Sequence, residues 1–347
     1  MQVTDIQSLL RENIRNLKPY SSARDEYKGK EATTFLDANE NPFDTGYNRY
    51  PDPYQWELKQ EIGKVKGVNS EQIFLGNGSD EGIDILIRAF CEPKEDNIVS
   101  ISPSYGMYQV CADTHGVETI KAQLETDFSL NARNVLKAIT PNSKIIFLCS
   151  PNNPTGNNLD EAEIRKILHS FKGIVVIDEA YIDFSPENTK TSWLADYKQL
   201  VILQTFSKAW GLAGIRLGMA FASEEIIAVM NKIKMPYNVN ELTQRHGIKA
   251  IKNVKQKELY VFQILTERDR LKRELSKLEL VQGIYPSDAN FLLIKTNEPN
   301  RIYTFLIEQK IVIRNRSSIA LCEGCLRITV GRKEENDILL DNLRLLK

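Results

Sequence analysis

Histidine is scarce in this chain: His115, His169 and His246 are widely separated among 347 residues. A histidine-dependent triad or a His-rich metal centre therefore has little to build on. Cysteine is scarce too. Five cysteines (Cys91, Cys111, Cys149, Cys322, Cys325) are an odd number in a long chain, which argues against a disulfide framework. Cys322-Glu323-Gly324-Cys325 is a lone C-x-x-C with no second pair to complete a zinc site, and it reads as two uninvolved thiols. An excess of one charge is also missing. The formal net charge of -1 gives no electrostatic reason to expect nucleic acid or an anionic membrane as partner. No apolar run approaches the ~20 residues that cross a bilayer. The opening MQVTDIQSLLRENIRNLKPY lacks the uninterrupted apolar core of a signal peptide. The expectation is a cytoplasmic protein with no metal, no nucleic acid and no membrane partner.

What is present suits a soluble globular chain of one large domain plus a smaller one. Residues 1–30 read as an N-terminal arm with a helix from Ile6 to Asn16. Residues 55–66 read as a helix. Gly76 to Asp80 is a turn that leads into an apolar helical run from Gly82 to Phe90. Asn97 to Ser102 is a short strand. KIIFLCS (Lys144 to Ser150), GIVVID (Gly173 to Asp178) and QLVILQ (Gln199 to Gln204) are continuous apolar runs. Such runs suit strands covered on both faces, as in a parallel sheet. The helical pattern at 160–171 between them completes a βαβ rhythm. Residues 247–280 read as one long solvated helix joining two domains, because their heptad is not sustained enough for a coiled coil. Asn290 to Lys295 and Leu326 to Val330 read as strands, and Glu334 to Leu346 as a closing helix. The expected division is therefore an arm (1–30), a large α/β domain with a mostly parallel central sheet (31–246), and a small α+β domain (247–347) against which the arm packs.

The chemistry concentrates at strand ends, where open α/β sheets collect ligands. Thr205-Phe206-Ser207-Lys208 follows the third apolar run, with Arg216 eight residues further on. An amine there can form a Schiff base with an aldehyde cofactor, and the hydroxyls and guanidinium suit a phosphate. Alone, the pattern equally fits a surface lysine in a loop. Asp178 closes GIVVID and is followed by Glu179-Ala180-Tyr181. Its carboxylate can face a cationic ring nitrogen, or serve a metal, although no His or Cys lies nearby in sequence to help. Asn153, within Ser150-Pro151-Asn152-Asn153-Pro154-Thr155-Gly156, carries an amide able to donate to a phenolate oxygen. The turn Gly76 to Ser79 opens a helix whose first amides can bind phosphate.

Taken together, Asp178 and Tyr181, Asn153 to Gly156, Ser207 to Arg216 and Arg327-Ile328-Thr329-Val330-Gly331 resemble the fold-type-I pyridoxal-phosphate (PLP) aminotransferases, in order and spacing over nearly the whole chain. Leu36 to Pro42, Tyr50 to Pro53, Gly78 to Ile83 and Leu86 to Phe90 resemble, more narrowly, the histidinol-phosphate aminotransferase family. The resemblance implies pyridoxal 5'-phosphate as cofactor and Lys208 as Schiff-base lysine and proton shuttle. It implies Asp178 as partner of the ring nitrogen. Asn153 and Tyr181 would donate to the ring oxygen, and Tyr105 would stack on the ring. The amides of Ser79 and Asp80, with Thr205, Ser207 and Arg216, would hold the phosphate. Tyr50 would reach the phosphate of the neighbouring subunit's cofactor, which implies an obligate homodimer with shared active sites. Arg327, Arg314, Tyr20, Asn39 and Asn153 would bind substrate. One departure is visible: Asn315-Arg316 follows Arg314 where the family often has an acidic residue. The implied reaction interconverts L-histidinol phosphate plus 2-oxoglutarate and imidazole-acetol phosphate plus L-glutamate. The same residues would also serve an aromatic aminotransferase or a decarboxylase of a phosphorylated amino acid.

Overall fold

In the central apolar runs of this chain, successive side chains are apolar in both directions, so the sheet they form must be covered twice. The computed structural model describes residues 5–19 and 34–346. Its larger sheet has seven strands: β1 (Ile73–Asn77), β2 (Asn97–Ser102), β3 (Glu118–Gln123), β4 (Ser143–Cys149), β5 (Ile174–Asp178), β6 (Leu200–Thr205) and β7 (Leu217–Ala222). They lie in the order β1-β7-β6-β5-β4-β2-β3. Only β7 runs antiparallel to its neighbours. Along β6, Leu200 and Ile202 enter one hydrophobic core and Val201 and Leu203 the other. Helices Ser79–Phe90, Met107–Thr114 and Glu224–Ile233 cover the second face. Helices Trp56–Lys66, Ala132–Ala138, Glu161–Ser170 and Glu241–Ile251 cover the first.

A second sheet of β8 (Val281–Ile284), β9 (Phe291–Thr296), β10 (Arg314–Asn315) and β11 (Cys325–Thr329) is antiparallel throughout, in the order β10-β11-β9-β8. Leu271, Leu275, Ile302, Leu306, Leu339 and Leu343 form its core, contributed by helices Val254–Leu275, Pro299–Glu308 and Lys333–Leu345.

Several expectations differ from the observed structure. The helix expected over 247–280 is two, Glu241–Ile251 and Val254–Leu275. The first lies tightly on the larger sheet's helix layer: a Cβ on Gly247 would stand 2.8 Å from Leu217 and 3.2 Å from Leu58. The division expected at 246/247 thus falls inside a helix that belongs to the larger unit. The arm helix is likewise two short turns, Ile6–Leu9 and Glu12–Asn16. At the break, the Arg11 N–H donates to the Ala89 carbonyl. Ile6, Leu10 and Ile14 are buried in the core of the larger sheet, so residues 5–19 pack there and not on the small sheet. β1, β3 and β7 were not anticipated: β1 and β7 contain glycine, and the edge strand β3 (ETIKAQ) is mostly polar and partly exposed.

The pairing of β1 with β7 fixes a close approach at the sheet's carboxyl edge. A Cβ on Gly218 would lie 2.1 Å from the Ser79 nitrogen and 2.2 Å from the Gly78 carbonyl carbon. Backbone cannot yield as a side chain can. Gly218→Ala should therefore lower stability by about 1–3 kcal/mol; a urea midpoint equal to wild type would contradict this.

Candidate active site

At the carboxyl ends of β1, β4, β5 and β6 the chain leaves a cavity of about 230 Å³. Ser79, Asp80, Tyr105, Asn153, Asp178, Tyr181, Thr205, Ser207, Lys208, Arg216, Arg314 and Arg327 all line it, although they come from most of the chain's length.

The floor is Asp178, the last residue of β5, only 2 % exposed. Tyr108 donates its hydroxyl to Asp178 Oδ2 at 2.7 Å, and the Ala180 N–H donates to Oδ1 at 3.1 Å. Burial raises the carboxyl pKa to about 6, against the opposing pull of those two hydrogen bonds. Tyr108 was not singled out from sequence. Its ring stacks on Phe147 at 4.7 Å and meets Tyr105 edge-on at 5.6 Å. The available signal was spacing: Tyr105 and Tyr108 stand three apart, one before and one within the start of helix Met107–Thr114.

Lys208 lies three residues beyond β6, with its ammonium nitrogen 5.7 Å from the centre of the Tyr181 ring. Its pKa is lowered, first by burial and then by Arg327, while Asp178 and Asp80 pull the other way. A neutral amine is therefore easier to reach than on a surface lysine. The Asn153 amide donates to the Tyr181 hydroxyl at 3.3 Å, and Arg327 donates to Asn153 Oδ1. Burial pushes the Tyr181 phenol up, so it stays protonated and available as a donor.

The opposite end of the cavity is an anion cradle. Helix Ser79–Phe90 starts after Gly78 (φ +77°) with no side chain capping it, which leaves its first N–H groups without intrahelical partners. Arg216, itself left-handed at φ +53°, donates to Ser207 Oγ at 3.4 Å and to Asp80 Oδ2 at 3.3 Å. A Cβ on Gly78 would sit 2.5 Å from the Arg216 Nη2, so only glycine lets the guanidinium lie over the turn. Thr205 Oγ1 accepts the Ser207 N–H at 3.1 Å, which orients the Ser207–Lys208 loop. A buried carboxylate, an amine of lowered basicity and an uncapped helix start beside a guanidinium form one donor set. It fits pyridoxal phosphate, which carries a cationic ring nitrogen, an aldehyde and a phosphate.

Not every expected residue is here. Asn39 does not line this cavity; it shares a separate cleft with Tyr50, Pro51 and Leu242. The cause is local: Glu40 binds Arg49 and the Tyr50 N–H, folding this strand-free segment onto itself. Tyr50 is 50 % exposed and stacks on Tyr237 at 4.4 Å. Tyr20 lies outside the described residues. Arg316, which sequence reasoning passed over, does line the cavity. Asn315 faces away and donates to Asn300 Oδ1 on helix Pro299–Glu308, so of the two residues at the departure seen in sequence only Arg316 meets the pocket.

The chain is similar to known proteins over most of its length. Residues 26–343 match the family described as Aminotransferase class I and II. A histidinol-phosphate aminotransferase of Parabacteroides distasonis is 54% identical over 99% of each chain. One of Bacteroides thetaiotaomicron is 54% identical over 98% of each. Among solved structures, the histidinol-phosphate aminotransferase of Clostridium acetobutylicum superposes with a TM-score of 0.80 at 25% identity, covering 87% of this chain and 91% of that one. The Sinorhizobium meliloti enzyme in complex with pyridoxal-5'-phosphate shares the fold, with a TM-score of 0.80 at 22% identity over 86% of this chain and 84% of its own. With a matching family model over most of its length and a cavity whose donors suit the cofactor, the chain belongs to the class I and II aminotransferase family and uses pyridoxal 5'-phosphate.

Proposed function

We propose that the chain transfers the amino group of L-glutamate to imidazole-acetol phosphate, giving L-histidinol phosphate and 2-oxoglutarate, and the reverse, as a step of histidine biosynthesis. The observation that carries this is the placement of Arg314 opposite Arg327 on paired strands, both lining the cavity of Lys208. A guanidinium forks onto a carboxylate or a phosphate alike, so one pocket can serve both the dicarboxylate and the phosphate ester.

When bound, the cofactor supplies an aldehyde and an electron-withdrawing ring. The chain supplies the rest. Asp178 holds a proton on the ring nitrogen. Lys208, once its amine is free and neutral, would take the proton from the substrate carbon and deliver it to the aldehyde-derived carbon of the cofactor. Asn153 and Tyr181 donate to the ring oxygen, and Tyr105 covers the ring. Arg216, Ser207 and Thr205, with the Ser79 and Asp80 amides, hold the phosphate. Arg327 and Arg314 hold the substrate anion.

The reading includes a homodimer in the cytoplasm. Support for the dimer comes from the cleft around Tyr50, where Tyr47 and Leu242 expose apolar surface. Exposed apolar surface of this kind suits burial against a second copy. All five cysteines are free and buried, which suits a reducing compartment.

Two measurements test the reading. Holoenzyme should turn over histidinol phosphate with 2-oxoglutarate far faster than phenylalanine or tyrosine; a cofactor-loaded preparation inert toward histidinol phosphate removes the assignment. Lys208→Ala should lose turnover by several orders of magnitude and retain no cofactor after borohydride treatment and dialysis, and normal turnover in this variant would refute the role of Lys208. Asp178 gives a pH test on cofactor-free protein. Its folded pKa near 6 stands above the ordinary 3.8, so its contribution to stability is present below pH ~4 and lost as pH rises through 6. Relative to Asp178→Asn, wild-type apoprotein should lose roughly 3 kcal/mol at most between pH 4 and 7. Parallel stability profiles of the two proteins would show that Asp178 is not titrating in its buried site.

A further inference from the structure

Arg316 is the third guanidinium at the outer end of the cavity, and no part is yet assigned to it. Its position follows from strand geometry. Arg314 pairs with Arg327 across β10 and β11, and the Arg316 N–H donates to the Cys325 carbonyl at 2.9 Å, continuing that ladder beyond β10. Side chains two apart on a strand share a face, so Arg314 and Arg316 face the cavity together while Asn315 points to Asn300. Arg327 joins them from the adjacent strand.

This arrangement is costly in the protein alone. Like charges placed opposite one another on a sheet destabilise it. Neither Arg314 nor Arg316 forms a salt bridge among the described residues, and the buried Nε atoms of Arg316 and Arg327 have no hydrogen-bond partner. The two carboxylates of the cavity are engaged elsewhere, Asp80 with Arg216 and Asp178 with Tyr108. Burial lowers the Arg316 pKa, and Arg314 lowers it further. For Arg327, Arg316 is the strongest cationic neighbour. Among the described residues, three cations are thus held together with donors still unused and no protein anion meeting them.

We propose that Arg316 is a substrate-binding residue that, with Arg314 and Arg327, makes this end of the cavity selective for a phosphate dianion over a neutral aromatic side chain. This rests on the histidinol-phosphate reading of the same site. A tetrahedral dianion offers enough acceptor oxygens for three guanidiniums, whereas a phenyl or phenol ring offers no charge to offset theirs.

The test uses holoenzyme of wild type, Arg316→Gln and Arg316→Lys. Charge-assisted hydrogen bonds to a phosphate imply that Arg316→Gln raises KM for histidinol phosphate about 10- to 100-fold. Its kcat should change by less than about 3-fold, and Arg316→Lys should recover part of the loss. Inorganic phosphate, as a competitive inhibitor of the glutamate reaction, should weaken about 10-fold in Arg316→Gln. The thermal midpoint should hold or rise, since a like charge is removed; a purely structural arginine would lower it. A KM within about twofold of wild type, or a fall in kcat with KM unchanged, overturns the proposal. If wild type is inhibited by phosphate yet inert toward histidinol phosphate, the proposed function fails by itself. The phosphate comparison then decides Arg316, and equal inhibition of wild type and Arg316→Gln overturns its role.

Discussion

The site depends on one unfavourable burial, that of the Asp178 carboxylate at the end of β5. Taking a carboxylate out of water is expensive unless hydrogen bonds or a cation answer it. Here Tyr108 and the Ala180 amide answer it in part, and the raised pKa records what they leave unanswered. A cationic ring nitrogen is the group that completes the balance. Tyr108 therefore matters as much as the residues that touch the cofactor: it fixes the carboxylate's direction, and its own position is fixed by stacking on Phe147. The same logic runs along the cavity. Lys208 is less basic because it is buried among cations, and Arg216 leans on Asp80 and Ser207 until a phosphate is present.

Much of this was legible in the sequence because it is written in local chemistry. The three apolar runs become β4, β5 and β6 with shifts of about one residue, since a doubly covered strand needs hydrophobic side chains in both directions. Asp178, Thr205 and Lys208 could be read as site residues because polar groups at the ends of such runs are otherwise wasteful. What was not legible depends on pairing between distant segments. β3 is an edge strand with exposed charges, and β10 is two residues long; neither is a strand until a partner lies beside it. Tyr108 and Arg316 escaped for the same reason. Their meaning comes from Asp178 seventy residues away and from the register with β11, not from their neighbours in the chain. Asn39 stands apart in a separate cleft, because Glu40 turns its segment back onto Arg49 and Tyr50.

The small sheet brings charge where the large one brings chemistry. Arg327 reaches from β11 to Asn153 in the loop after β4. The close seat of Gly156 against Ser287, where a Cβ would lie 2.6 Å from the hydroxyl oxygen, fixes the same loop from below. In the proposed function, substrate recognition and ring-oxygen contacts therefore share one amide side chain, and a shift of the small sheet is felt directly at Asn153.

The reversed direction of β7 has a consequence of its own. A parallel successor to β6 would need a crossover of a dozen residues or more, and its first residue would arrive at the far edge of the sheet. Running backwards, β7 begins where β6 ends, so Lys208 and Arg216 sit on one short return of chain. In the proposed function, the grip on the aldehyde end and the grip on the phosphate end of the cofactor thus belong to a single loop, and a drift of one moves the other.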